Sequence, residues 1–328
     1  MVSRRVVMFG MQPTGWPHLG NYLCLKAGCA ARASKLVCCV ADLHSLTSLS
    51  PAGVRRVRLT AAFVMACVRA LSSSRALVYV QSDVVGLGKL AWVAACNAKL
   101  AELERASAAR DSATAAGLFY PNLMAGDVLA CRPTLLAVGL DQRRHVQHVR
   151  AVGNKLNARA QRAMGARCAL CPPLLLAASA RVKLMSLSEP NVKMSKSKVC
   201  GLLGVFDGYR ALSAKLARAR TDGCAVVARS RLALKNRPGV GSLLALYAAT
   251  AGVGVARAIA EVCGVETRRL KTWAASLVYT KLRAVRLGAA GLMASPKLVD
   301  GALAAGGRAM KTWTGSAAAH ALWAVGLG

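Results

Sequence analysis

Short apolar runs alternate with longer segments of helical periodicity through the first half of the chain. The runs that predict strands are Arg4–Gly10, Lys35–Val40, Ala76–Gln81 and Thr134–Val138. Between them, a helix is predicted to begin near His18, and a long helical pattern covers Pro51–Leu71. Alternation of strands and helices is typical of a parallel sheet with right-handed crossovers. The pattern therefore predicts an α/β fold built on a parallel sheet.

The pattern changes at about Gly201. Alanine-rich segments with Arg and Lys at helical spacing follow, as in Tyr209–Arg220 and Gly252–Val262, and strand signals become scarce. We therefore predict two domains, an α/β domain over residues 1–192 and a C-terminal helical domain over residues 193–328.

The charge of the chain points to a polyanionic partner. There are 45 basic and 13 acidic residues, which gives a formal net charge of +32. Such a surplus makes RNA or DNA the first candidate. A mutational bias towards Ala, Val, Arg and Gly explains the same surplus, so charge supports a nucleic-acid partner without proving one.

The ends of the chain and its apolar stretches predict a soluble, cytoplasmic protein. Arg4 and Arg5 interrupt the first ten residues, which do not resemble a signal peptide. The longest uncharged stretch, Pro238–Ala256, fits a buried helix better than a membrane span. We expect no membrane partner.

Twelve cysteines are scattered along the chain without the spacing of a disulfide framework. Cys168 and Cys171 form a CxxC pair, but no second pair follows at zinc-finger spacing. We predict no metal site.

The first candidate cluster follows the first predicted strand. It consists of Gln12-Pro13-Thr14-Gly15 and His18-Leu19-Gly20-Asn21. Gly15 and Gly20 allow backbone to approach a nucleotide, and a helix N-terminus offers amides to phosphate. His18 is suited to stabilising charge on a transferring phosphate. The alternative is an ordinary strand-turn-helix connection.

The second cluster, Gly139-Leu140-Asp141-Gln142, follows the strand predicted to end at Val138. Its carboxylate and amide are suited to holding ribose hydroxyls or a substrate ammonium group. The alternative is a helix cap, which is a common role for Asp after a strand.

The third cluster is Lys193-Met194-Ser195-Lys196-Ser197. Two lysines around a turn of small residues suit a loop that neutralises phosphate charge, because such transfers depend on positioning and electrostatic stabilisation. The alternative is a solvated basic loop.

Taken together, HLGN at 18–21 and KMSKS at 193–197 resemble the HIGH and KMSKS signatures of class I aminoacyl-tRNA synthetases. The match narrows to tryptophanyl-tRNA synthetases of the bacterial type. The segments that carry it, in the order of that family, are Met11–Tyr22, Val40–Thr47, Tyr120–Leu129, Gly139–Arg150, Leu184–Ser197 and Arg237–Tyr247.

This resemblance implies a Rossmann-like catalytic domain with a helical anticodon-binding domain. It implies that the chain activates L-tryptophan with ATP, bound with Mg²⁺ as the substrate complex, and loads tRNA(Trp). It also implies a homodimer and no permanently bound cofactor.

The resemblance assigns roles residue by residue. The catalytic residues would be His18, Asn21, Lys193 and Lys196. ATP would bind to Gln12, Pro13, Thr14, Gly20, Asn21, Gly139, Leu140, Asp141, Leu184, Met185, Lys193, Met194, Ser195, Lys196 and Ser197. Tryptophan would bind to Asp127, Met124, Gln142, His44, Tyr120, Met8, Leu136 and Val138.

The chemistry of Asp127 supports its assignment. A buried carboxylate offers the single indole N–H a charge-assisted hydrogen bond that phenylalanine cannot make. Met124 is polarizable and suits an aromatic face. The alternative for Asp127 is a helical acid that faces solvent.

The sequence departs from the family pattern at several positions. Phe9 replaces a small hydroxyl residue before the glycine, which we expect to reshape the nucleotide pocket. The segment Arg105–Ala116 is short, and Arg110 is the nearest counterpart of a lysine often found there. Lys198 follows KMSKS where an acid is common.

Three alternatives stay open at this point. A tyrosyl-tRNA synthetase is disfavoured because its signatures usually read KFGKS and GSDQWGN. A degenerate synthetase-like RNA-binding protein is disfavoured because His18, Lys193 and Asp127 are all present. Another HIGH-type nucleotidyltransferase lacks the separate KMSKS element and the added helical domain.

Overall fold

The computed structural model describes most of the chain. The described residues are 5–31, 35–47, 53–72, 76–107, 114–164, 174–175, 184–190, 201–227 and 233–327. Arg110, Cys168, Cys171, Lys198 and the whole of Lys193–Ser197 lie outside these ranges.

Five parallel strands form one sheet. They are β1 (Val6–Met11), β2 (Lys35–Val40), β3 (Ala76–Val80), β4 (Leu135–Leu136) and β5 (Leu174–Leu175), in the spatial order β3-β2-β1-β4-β5. Five consecutive residues of β2 are buried, as expected for a strand covered on both faces. The predicted parallel α/β fold is confirmed.

Twelve α-helices are present within the described ranges. They are α1 (Leu19–Ala30), α2 (Asp42–Leu46), α3 (Val54–Leu71), α4 (Gly86–Cys96), α5 (Leu100–Ala106), α6 (Ala115–Cys131), α7 (Arg143–Met164), α8 (Tyr209–Ala217), α9 (Pro238–Ala251), α10 (Val255–Val262), α11 (Thr267–Ala294) and α12 (Pro296–Ala324). Short 3₁₀ turns cover Gln81–Asp83, Leu140–Gln142 and Ala233–Asn236.

Two strand boundaries differ clearly from the predicted ones. The predicted strand Ala76–Gln81 ends one residue early, because Gln81 begins a 3₁₀ turn. The predicted strand Thr134–Val138 narrows to Leu135–Leu136. The prediction of β2 over Lys35–Val40 is confirmed at both ends, since its apolar run has no polar interruption.

The chain divides into two compact units, and each unit contains residues from both sides of the boundary predicted at residues 192 and 193. The first unit contains residues 1–14, 24–179 and 289–328, and the second contains residues 15–23 and 180–288. The whole of α12 therefore belongs to the unit that contains the sheet. Its composition resembles that of the helices before it, so the local sequence does not reveal that α12 packs with the first unit.

Packing explains why α12 joins the first unit. It lies against β3, α4, α6 and α7, and Met310, Ala317 and Ala321 share a buried cluster with Met8 and Val37. Arg58 of α3 also forms a bidentate pair with Asp300 of α12, with N–O distances of 2.8 and 2.6 Å. The apolar face of α12 thus completes the core on one side of the sheet.

No single helix in the described part of the chain is long and apolar enough to cross a membrane. The pair α9 and α10, bent by 107°, meets the length and composition test only when the two are taken together. Val240, Leu243, Leu244 and Leu246 of α9 are buried within the protein.

The close approach of α12 to β3 depends on Gly306. A Cβ atom at this position would overlap the backbone carbonyl of Val78. We expect Gly306→Ala to lower the free energy of unfolding by about 1–3 kcal/mol, because backbone must shift to admit the methyl group. Urea unfolding measures this change.

Gly315→Ala is the matched control on the same helix. Gly315 is exposed, and a Cβ there would meet nothing within 4 Å. This variant should gain roughly 0.5–1 kcal/mol from helix propensity. Equal effects of the two variants would contradict the close packing of α12 on β3.

Candidate active site

Several polar residues of the first unit lie at the carboxyl edge of the sheet. Gln12 follows β1, His44 lies in the short helix after β2, Gln81 follows β3, and the turn Leu140–Gln142 comes after β4. The strand order reverses between β1 and β4, and ligands of such sheets bind outside the carboxyl ends at this switch point. The topology therefore favours this edge as the site.

Asp127 is the central buried acid of this edge. It lies on α6, whose residues 124–131 are all buried, and its exposed fraction is 4%. Nε2 of Gln81 donates to Oδ1 and Oδ2 at 2.9 and 2.8 Å, and Nε2 of His44 lies 3.0 Å from Oδ2. Burial of a carboxylate is costly without such partners, so Gln81 and His44 are what make this position tenable.

The orientation of Gln81 follows from its other contact. Its Oε1 accepts the backbone N–H of His44 at 3.3 Å. A backbone N–H only donates, so the oxygen must face His44 and the amide nitrogen must face Asp127. Sequence reasoning missed Gln81 because it was assigned to the strand. The signal that would have found it is a glutamine at the carboxyl end of a parallel strand.

His44 has one paired and one unpaired ring nitrogen. Its Nε2 faces a carboxylate oxygen, which only accepts while ionised, so this nitrogen carries the proton. Nδ1 is buried and has no hydrogen-bond partner within the described part of the chain. A buried ring nitrogen without a hydrogen-bond partner is costly.

Tyr120 and His145 extend the cluster along the same edge. The Tyr120 ring centroid lies 4.4 Å from that of His44 and 5.1 Å from that of His145. Burial, aided by the charge of Asp127, raises the pKa of Tyr120 to about 12. Burial lowers the pKa of His145 to about 4. Both rings are therefore neutral at neutral pH.

Gln142 links His145 to Asp141. Its Nε2 donates to Oδ2 of Asp141 at 3.1 Å, and its Oε1 lies 2.7 Å from Nδ1 of His145. Since Oε1 only accepts, Nδ1 of His145 carries the proton. The structure thus joins four of the predicted tryptophan residues, His44, Tyr120, Asp127 and Gln142, through contacts that include the unpredicted His145.

The predicted apolar lining belongs to one core cluster. Met8, Met124 and Leu136 are buried in it, and Val138 packs against it. Phe9 is also buried, with an exposed fraction of 2%. The roles of these side chains towards a ligand remain predictions.

The signature segment has a fixed local geometry in the second unit. Asn21 Oδ1 accepts the backbone N–H of His18 at 3.1 Å, and His18 Nδ1 accepts that of Gly20 at 3.1 Å. Nδ1 is therefore unprotonated, and the neutral ring carries its proton on Nε2. A Cβ at Gly20 would lie 2.9 Å from the His18 ring, which explains the glycine.

The segment around His18 pairs with residues just after KMSKS. His18 forms an isolated antiparallel bridge with Gly204, and the N–H of Leu19 donates to the carbonyl of Leu203 at 2.9 Å. The first signature is therefore held by backbone contacts with residues 203 and 204.

The remaining predicted ATP residues lie on separate segments. Gln12, Pro13, Thr14, Gly139, Leu140 and Asp141 are in the first unit, and Leu184 and Met185 are in the second. Leu184 is buried, whereas Leu140 and Asp141 are exposed. Among the described residues, no group of three His, Cys, Asp or Glu side chains is placed to hold a metal ion.

A comparison with family models decides the family. The model described as tRNA synthetases class I (W and Y) matches residues 3–272. The chain belongs to this family.

Proteins named tryptophan–tRNA ligases align with most of the chain. The tryptophan–tRNA ligase of Brucella melitensis is 30% identical over 333 residues, covering 92% of each chain. Tryptophan–tRNA ligase 2 of Streptomyces avermitilis is 31% identical over 319 residues, covering 93% of this chain and 91% of the relative. The predicted resemblance to bacterial tryptophanyl-tRNA synthetases is confirmed.

Solved structures of class I tRNA synthetases share the fold. The tryptophanyl-tRNA synthetase of Mycoplasma pneumoniae superposes with a TM-score of 0.82 at 22% identity, covering 99% of this chain and 98% of that one. The tyrosyl-tRNA synthetase of Aeropyrum pernix gives 0.68 at 20% identity, covering 92% and 90%.

The low pKa of His145 predicts a pH-dependent stability. An unfolded histidine titrates near pKa 6.5, so between about pH 6.5 and 4 the unfolded state binds a proton that the folded state does not. The free energy of unfolding should fall as the pH is lowered through this window. An NMR titration that placed the pKa of His145 near 6.5 would contradict its buried, neutral state.

Proposed function

We propose that this chain activates L-tryptophan with Mg-ATP and transfers it to tRNA(Trp), and that Asp127 recognises the indole N–H. The observation that carries the proposal is the buried Asp127 carboxylate, oriented by Gln81 and His44 at the carboxyl edge of the sheet. The relatives named as tryptophan–tRNA ligases support the same substrate.

The carboxylate of Asp127 retains capacity for one more donor. An ionised carboxylate has about four acceptor sites, and Gln81 and His44 occupy only part of them. Indole has a single N–H donor, so this bond would both place the ring and reject phenylalanine. A site built to hydrogen-bond such a donor discriminates strongly against analogues that lack it.

Tyr120 and Gln142 are suited to the polar end of the amino acid. The phenol of Tyr120 stays protonated because its pKa is raised to about 12, so it presents a hydroxyl rather than a charge. Asp141 and Gln142 add acceptors for an ammonium group. The neutral His145 holds Gln142 without placing a competing positive charge beside it.

The signature residues serve the nucleotide in this proposal. His18 presents a protonated Nε2 while its Nδ1 is held by Gly20, so it is suited to donating to phosphate oxygen. Lys193 and Lys196 neutralise charge on the departing pyrophosphate. In the first step a carboxylate oxygen of tryptophan attacks the α-phosphorus, and the bond to pyrophosphate breaks.

The second step uses the tryptophanyl-adenylate as donor. The terminal 2′-hydroxyl of tRNA attacks the carbonyl carbon, releases its proton and displaces AMP. The basic helices of the second unit supply phosphate contacts for tRNA, and we assign anticodon binding to them. A cytoplasmic location follows from tRNA as the substrate.

We also propose a homodimer formed through α4, α5 and α6. Val85, Trp92, Leu100 and Phe119 lie on or beside these helices and are exposed by 73%, 71%, 60% and 45%. Helices α4 and α5 both pack against α6, and exposed apolar side chains on neighbouring helices are suited to forming an association surface. The same helix α6 carries Asp127, so association would stabilise the element that presents the carboxylate.

Asp127→Ala tests the assignment of the indole pocket. We expect kcat/KM for tryptophan in ATP–pyrophosphate exchange to fall by about 10- to 100-fold, the loss expected for a hydrogen bond to a charged group. The KM for ATP should change little. Glu261→Ala, which removes an exposed carboxylate from α10, is the control and should leave both constants unchanged.

Exchange by the unaltered protein with tryptophan, tyrosine and phenylalanine separates the alternatives. Exchange with tyrosine alone would transfer the protein to the tyrosyl branch. No exchange, in folded protein that binds tRNA, would favour a degenerate RNA-binding protein. Unaltered tryptophan kinetics in Asp127→Ala would overturn the pocket assignment.

Trp92→Arg tests the proposed dimer. A guanidinium group at the centre of an apolar interface is costly to desolvate, so the variant should sediment as a monomer where the unaltered chain sediments as a dimer. Trp273→Arg, on an exposed tryptophan of the second unit, is the control and should remain dimeric.

A further inference from the structure

Trp16 is an exposed aromatic residue within the signature segment. Its exposed fraction is 61%, and none of the proposed roles towards tryptophan or ATP uses it. The ring packs edge-on against Phe206, with centroids 6.0 Å apart and an interplanar angle of 69°. This large apolar ring is exposed to solvent two residues before His18, where a ligand could contact it.

The backbone fixes the position of Trp16. Gly15 has a φ of 67°, a conformation that glycine adopts without strain. On the other side, the carbonyl of Pro17 accepts the N–H of Val205 at 2.9 Å, and Leu19 pairs with Leu203. The exposed ring is therefore a preset platform.

Further aromatic and basic side chains continue from Phe206. Arg286 donates to the carbonyl of Asp207 at 2.9 Å, and its guanidinium lies 4.2 Å from the centroid of Tyr279. Tyr279 in turn meets Tyr209 edge-on at 5.6 Å. We call Trp16, Phe206, Tyr209, Tyr279 and Arg286 the aromatic strip; all five belong to the second unit.

The composition of the strip selects its ligand. Proteins bind single-stranded RNA by stacking unpaired bases on aromatic rings, while cationic side chains attract the phosphates. The net charge of +32 supplies the matching attraction.

We propose that Trp16 stacks a base of the single-stranded 3′ end of tRNA and positions its terminal ribose for the second step. The inference rests on the proposed function, because that step requires this end of the RNA to reach the signature residues. Trp16 is thus a positioning residue that acts on transfer.

Trp16→Ala should act on charging far more than on exchange. Loss of one base–aromatic stack corresponds to roughly a 5- to 100-fold rise in KM for tRNA. The constants for tryptophan and ATP in pyrophosphate exchange, which uses no tRNA, provide the comparison. Trp16→Phe should restore most of the charging, because stacking needs a ring and not a particular one.

A direct binding measurement uses a short RNA that ends in CCA. Titration with this RNA should quench tryptophan fluorescence in the unaltered chain but not in Trp16→Phe. Trp273→Phe, which removes an exposed tryptophan outside the strip, is the matched control and should keep the quenching.

Several outcomes would overturn the inference. An unchanged KM for tRNA in Trp16→Ala would remove the stacking role, and an equal rise in KM for ATP would place Trp16 in the nucleotide site. Retained quenching in Trp16→Phe would show that the RNA binds elsewhere. Failure of the proposed function is distinguishable, since the unaltered chain would then show no tryptophan-dependent exchange.

Discussion

The buried carboxylate of Asp127 sets the tightest constraint on this structure. An ionised group with an exposed fraction of 4% requires donors at fixed distances, and these come from Gln81 at the end of β3 and His44 after β2. These donors therefore fix how far helix α6 lies from the sheet edge and how it is rotated about its own axis. The tight contacts around Gly126, where a Cβ would approach the carbonyl of Leu87 to 2.6 Å, hold α6 against α4 at that depth.

The same edge contains both charged carboxylates and titratable side chains that stay neutral. Asp127 and Asp141 carry the negative charges, while burial keeps Tyr120 and His145 neutral at neutral pH. Because Gln81 and Gln142 each use both ends of the amide, the orientations of these two amides are determined. Such preset dipoles stabilise a bound zwitterion with little rearrangement.

Local sequence specified some of these features and not others. Strand β2 was predicted to the residue because Lys35–Val40 is an uninterrupted apolar run. His44, Tyr120, Asp127 and Gln142 were predicted through motif resemblance. Gln81 was missed because it was assigned to strand β3, and the role of His145 depends on its contacts with Gln142 and Tyr120 in the folded chain. The packing of α12 with the first unit was also not predicted. Its Ala-rich pattern predicts a helix but does not reveal which core its apolar face will join.

The return of α12 to the sheet has a consequence for synthesis. At roughly 5–20 residues per second, a ribosome needs on the order of ten seconds to pass from Cys131 to Pro296. Through that interval the faces of β3, α4 and α6 that later receive α12 have no covering helix. During this time Asp127 and its partners Gln81 and His44 have already been synthesised, but the helix that covers one side of the core has not. Apolar surface that stays exposed in this way is prone to aggregation until α12 is synthesised.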